Sequence, residues 1–90
     1  MNPFQRDLRY WEAENRRTNG CWDRRLPDVR KDLRNFESDD LKTLLDLLLQ
    51  CGIQIAYAEE CDTTGLREPH WHECATAVKE KIMTLLETSP

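Results

Sequence analysis

Ser38-Asp39-Asp40-Leu41-Lys42-Thr43-Leu44-Leu45-Asp46-Leu47-Leu48-Leu49-Gln50-Cys51-Gly52-Ile53-Gln54-Ile55-Ala56-Tyr57-Ala58-Glu59-Glu60 reads as one helix lying in the middle of the chain. Ser38 is placed to accept hydrogen bonds from the first free backbone N–H groups, and Asp39 and Asp40 put negative charge where the helix dipole favours it. At about 100° per residue, Leu41, Leu44, Leu45, Leu47, Leu48, Leu49, Cys51, Ile53 and Ile55 cover far more of the circumference than the usual one-third stripe. Thr43, Asp46, Gln50, Gln54 and the hydroxyl end of Tyr57 make up the narrow strip that stays polar. The expectation is a central helix that is largely buried, with few other helices available to bury it.

That shortage predicts a homodimer in which Leu44, Leu47, Leu48 and Ile55 carry self-association. Leaving two leucines exposed forgoes roughly 3–6 kcal/mol of burial, comparable to much of a small domain's net stability. The competing arrangement is a monomer whose other helices wrap the central one.

Gly52 interrupts this helix at a cost of about 1 kcal/mol relative to Ala. It marks a close helix crossing or a bend. Ile53-Gln54-Ile55-Ala56-Tyr57 also alternates like a strand, although a lone strand has nothing to pair with, so helix is the better reading.

The 90 residues form one domain, 1–90, with 39% hydrophobic and 33% charged residues, a balance that suits a folded chain. Asn2 is a good N-cap and Pro3 is pre-set for a first helical turn, so a helix is expected from there to the Asn19-Gly20 stop. Its inward stripe, Phe4, Leu8 and Trp11, is thin. Pro27 opens a short helix through Phe36, carried by Leu26, Val29, Leu33 and Phe36. Asp62-Thr63-Thr64-Gly65 is a turn. A last helix starts around Pro69, with Trp71, Cys74, Ala75, Val78, Ile82, Leu85 and Leu86 on one face. The fold class is therefore all-α, a small bundle of three long helices and one short one.

The formal net charge of −4 is unevenly spread. Up to Asn35 nine bases face six acids, a net of +3; from Phe36 onward four bases face eleven acids, a net of −7. The halves attract, within one chain or between two. A net acidic chain is a poor general nucleic-acid binder. No run reaches the ~18 apolar residues that span a bilayer, and Met1–Asp7 lacks the apolar core of a secretion signal, so a cytoplasmic protein without membrane contact is expected. In that compartment Cys21, Cys51, Cys61 and Cys74 are expected as free thiols.

Arg6, Arg9, Arg16 and Arg17 share the outer face of the first helix, and Trp22 follows beside Arg24 and Arg25. Trp and Arg together are enriched where interfaces concentrate binding energy, so these seven residues are the expected docking surface for an acidic or apolar protein partner. The plainer alternative is a solvated basic face with Trp22 closing the core. Contact with nucleic acid through the same arginines is a further, less favoured reading.

Cys61, His70, His72 and Cys74 are the sharpest cluster of potential ligands. His70 and Cys74 lie four apart on a helical face, and Cys61 lies across the loop, so two or three of them fit a tetrahedral zinc. The spacing is not that of a zinc ribbon or finger, and a packing role for Cys74 competes with it. Neither metal nor cofactor is expected. A cysteine nucleophile paired with a histidine needs a cleft and an oxyanion site that a chain this small does not readily supply. There is no glycine-rich phosphate loop and no dinucleotide fingerprint. The function expected is a non-catalytic module that binds and modulates another protein, as adaptor, antagonist or inhibitor; the alternative is a small zinc-binding regulator.

Overall fold

The computed structural model describes residues 2–61, 65 and 67–88, and the described chain is all-helical. The helices are α1 (Pro3–Arg17), α2 (Leu26–Glu37), α3 (Leu41–Cys61) and α4 (Arg67–Thr88). They pack as two hairpins, α1 on α2 and α3 on α4, joined by α2–α3 and α1–α4 contacts.

Each boundary has a local cause. At the start of α1, the Asn2 side chain accepts from the Gln5 N–H at 2.9 Å and the Gln5 side chain accepts from the Asn2 N–H, a closed capping box. The helix stops where Asn19 and Gly20 take positive φ, 55° and 91°, and the Gly20 N–H bonds the Asn15 carbonyl at 2.8 Å. A side chain at Gly20 would also meet the Asp23 carboxylate at 3.0 Å. Pro27 lies in the first turn of α2.

Ser38 does not cap the central helix. It is the C-cap of α2, and its hydroxyl accepts from the Asp40 N–H at 3.0 Å. Asp40 caps α3 instead, accepting from the Thr43 N–H at 3.2 Å and the Thr43 hydroxyl at 2.7 Å, and those hydrogen bonds hold its carboxyl below the usual range. Gly52 neither breaks nor starts a strand, for α3 runs through it unbroken to Cys61. The Asp62–Gly65 turn lies outside the described residues except for Gly65, with φ 71°. The last helix begins two residues before Pro69.

The core is formed by Phe4, Leu44, Leu47, Cys51, Trp71, Cys74, Val78 and Ile82, with Leu33, Phe36, Leu41, Leu48, Ile55, Ala75 and Leu85 packed against it. Phe4 stacks on Phe36 at 4.9 Å, joining the start of α1 to the end of α2. The Lys81 ammonium bonds the Phe36 carbonyl, tying α4 to the end of α2. Leu86, expected on the inner face of the last helix, is exposed.

The expectation of a largely buried central helix is corrected. Leu44 and Leu47 are sealed, at 0% and 3% exposure, whereas Leu45, Leu49, Ile53 and Tyr57 stand 54%, 67%, 53% and 66% exposed. Most of the contacts to α3 come from α4 and α2, and two neighbours cannot enclose a helix that is apolar round most of its circumference. Leu44 and Leu47, expected to carry self-association, lie in the core of the single chain, and Leu48 and Ile55 are partly buried against the same core.

Candidate interaction surfaces

Three different faces of α3 result from this packing. One enters the core. A second carries Asp46, Gln50 and Gln54 into a groove of about 420 Å³ shared with Arg25, Asp28 and Asp32 of the α2 side. Burial pushes the Asp32 carboxyl up. The third is an open apolar surface formed by Leu45, Leu48, Leu49, Gly52, Ile53 and Ala56. The composition of the stretch signalled this surface, but not which of its leucines would form it.

The seven residues expected to dock a partner have different surroundings. Arg6 is engaged by its own chain, donating to both carboxylate oxygens of Glu73 on α4 at 3.1 and 2.5 Å. Arg17 pairs with Glu14 one turn earlier. Arg9 and Arg16 are exposed and form no ion pair among the described residues, and Arg24 is also exposed. Trp22 is 37% exposed and meets Trp11 edge-on at 4.7 Å. Arg25 lies over the Trp11 ring, 5.4 Å from its centroid.

Asn15 fixes this aromatic corner, accepting from the Trp22 N–H at 2.8 Å and donating to Asp23 at 2.9 Å. The basic first half and acidic second half do meet inside one chain, through Arg6 and Glu73, but Arg9 and Arg16 remain available. The Arg17–Glu14 pair follows from helical spacing, but nothing in the spacing of the sequence marked Arg6 as engaged, because Glu73 reaches it only through the α1–α4 contact.

Cys61, His70, His72 and Cys74 do not converge. His70 turns toward α1, where its Nε2 lies 3.7 Å from Asp7, while His72 pairs with Glu68 at 3.5 Å and Cys61 is exposed. Among the described residues the group of donors close enough for one ion is Glu59, Glu68 and His72, whose ligand atoms lie within 4.8 Å of one another. The quartet fails because residues two apart on a helix point roughly 200° apart, which sends His70 and His72 to different faces.

Asp7, His70 and Cys74 resemble a nucleophile, base and orienter only in residue type. The Cys74 thiol is 3.6 Å from His70 Nε2, and Asp7 approaches that same nitrogen, so the ring has no second nitrogen linking the two as a relay requires. Cys74 has no solvent exposure, and burial pushes its thiol up, away from the thiolate a nucleophile needs. Burial likewise lowers His70, against the pull of Asp7. Asp7 also accepts from the Trp11 indole at 3.1 Å, so the cluster fastens α1 to α4.

No helix among the described residues is long and apolar enough to cross a membrane. Comparison with protein-family models, with curated proteins and with solved structures finds no match for this chain.

Proposed function

We propose that this chain is a non-catalytic protein-interaction module that binds and modulates another protein, as an adaptor, antagonist or inhibitor. The observation that carries this reading is the row Leu45, Leu49, Ile53 and Tyr57, large apolar side chains exposed along one helix. Contiguous apolar surface of this kind marks association sites, since leaving it in water forgoes burial. Arg9, Arg16, Trp22 and Arg24, exposed at the α1–α2 side, support a second surface suited to an acidic partner. The sealed thiol of Cys74 and the shared His70 nitrogen weigh against catalysis at the one place where the residue types would suit it. Four free cysteines fit a cytoplasmic setting.

The test uses the chain as bait in lysate of its native host, with captured proteins identified by mass spectrometry. Wild type is compared with Leu49→Glu/Ile53→Glu and with Arg9→Glu/Arg16→Glu, each first shown by circular dichroism to be helical. The expected result is a reproducible set of proteins lost with one variant, and for the arginine variant a slower association at low salt. A captured set identical for all three proteins refutes the reading.

A further inference from the structure

Lys42, Leu45, Leu49, Gly52, Ala56 and Glu59 are spaced alternately three and four residues apart along α3, and all six are exposed. That is the spacing of a coiled-coil seam, over about 26 Å. Its composition is self-complementary. When the helix is reversed about the point midway between Gln50 and Cys51, Leu49 falls opposite Gly52, Leu45 opposite Ala56, and Lys42 opposite Glu59. Every layer of an antiparallel pair then joins a large residue to a small one, and both ends are closed by opposite charges. Neither Lys42 nor Glu59 has an ion pair within the described residues, and Glu59 lies beside Glu68 and His72, which face each other at 3.5 Å.

Gly52 is the most telling position. A Cβ built on it meets nothing within 4 Å, so the fold of a single chain does not require glycine there, although glycine weakens the helix. A leucine from a second helix gives the missing side chain a use, because glycine lets the two backbones approach closely at the layer filled by Leu49.

We propose that the open face of α3 is occupied by a second copy of this chain, packed antiparallel across a two-fold axis that passes between Gln50 and Cys51, in the Leu49–Gly52, Leu45–Ala56, Lys42–Glu59 register. The inference rests on the reading of this row as an association surface. It replaces the expected dimer residues Leu44 and Leu47 with the neighbouring set. The arginine and Trp22 surface belongs to α1 and the connector, so a dimer carries two copies of it and gains avidity for a repeated or dimeric partner.

The test is sedimentation equilibrium from low micromolar to several hundred micromolar protein, with helicity of each variant checked in parallel. Wild type is expected to rise from the monomer mass of 10.7 kDa toward twice that value. Gly52→Leu, which nothing in the monomer opposes, is expected to keep or raise the thermal midpoint while preventing dimerisation. Lys42→Glu and Glu59→Lys are each expected to weaken the dimer by about tenfold, and the double exchange to restore it, because both ends of the seam regain opposite charges.

A monomer at every concentration overturns the proposal. So does a dimer indifferent to Gly52→Leu, which places the interface elsewhere, or one that the double exchange does not rescue, which excludes this register. These readouts are separate from lysate capture: a monomeric chain that still loses captured proteins on Leu49→Glu/Ile53→Glu leaves the interaction reading standing and removes only the second copy.

Discussion

Leu44 and Leu45 are consecutive on α3, yet Leu44 has no exposed surface and Leu45 is 54% exposed. Adjacent helical residues point about 100° apart, which here is the angle between the core and open solvent. Leu44→Ala is expected to cost about 2–5 kcal/mol of folding stability, the range for emptying a well-packed aliphatic site. Leu45→Ala, measured at a concentration that keeps the chain monomeric, is expected to stay within about 0.5 kcal/mol of wild type. Urea denaturation of the two variants is the check, and equal costs would mean that the helix is rotated from its described position.

The capping hydrogen bonds of α3 belong to Asp40, which accepts from both the N–H and the hydroxyl of Thr43. Asp40→Ala is expected to lower the thermal midpoint and to fray the first turn of α3, because the free N–H groups there lose their acceptor. Ser38→Ala is expected to have a smaller effect, since its hydroxyl serves the link between helices. Amide hydrogen exchange at Thr43 and Leu44 distinguishes the two variants.

Thiol reactivity should divide the cysteines evenly. Cys21 and Cys61 are exposed, whereas Cys51 and Cys74 are buried, with burial raising Cys51 to about 11 and pushing Cys74 up as well. A thiol reagent at neutral pH is expected to label Cys21 and Cys61 promptly, leaving Cys51 and Cys74 to react only at the rate at which the fold opens. Prompt labelling of Cys51 would show that the contact between α3 and α4 is not closed.

His70 gives the fold a pH dependence of definite sign. Burial depresses its pKa below the ordinary 6.5, with Arg67 and Arg6 acting in the same direction and Asp7 and Glu73 opposing. The unfolded chain therefore takes up a proton at a pH where the folded chain does not. The stabilisation is complete above the ordinary value and is lost as pH falls from there through the depressed value. Melting temperature is expected to drop between pH 7 and 5.5, and His70→Gln to flatten that drop. A dependence unchanged by the substitution would assign it to other groups.

Much of the architecture was readable from local chemistry. Asn2, Pro3 and the Asn19-Gly20 stop act within a few residues of themselves, so the first helix follows from the sequence, as do the short helix after Pro27 and the Trp71, Cys74, Val78 and Ile82 stripe of the last. The Asp40 cap escaped the reading because Ser38, Asp39 and Asp40 are all capable caps, and only the chain direction leaving α2 selects among them. The Cys61, His70, His72 and Cys74 cluster was suggested by proximity along the chain, which says nothing about the direction in which successive helical residues point.

What the sequence alone determined is that α3 is apolar on too many sides for its own chain to cover. It could not determine which side is left open, because Leu44, Leu47, Cys51, Ile55 and Ala58 recur at spacings of three and four and Leu45, Leu49, Gly52 and Ala56 do so as well. Both satisfy the same helical periodicity. The choice between them was made by tertiary packing: α4 presents Trp71, Cys74, Val78 and Ile82, and Phe4 arrives from α1, so the Leu44 set meets a complementary apolar surface. The Leu45 set, turned about one residue away, is left largely exposed among the described residues, and that rotation separates the core from the open apolar face.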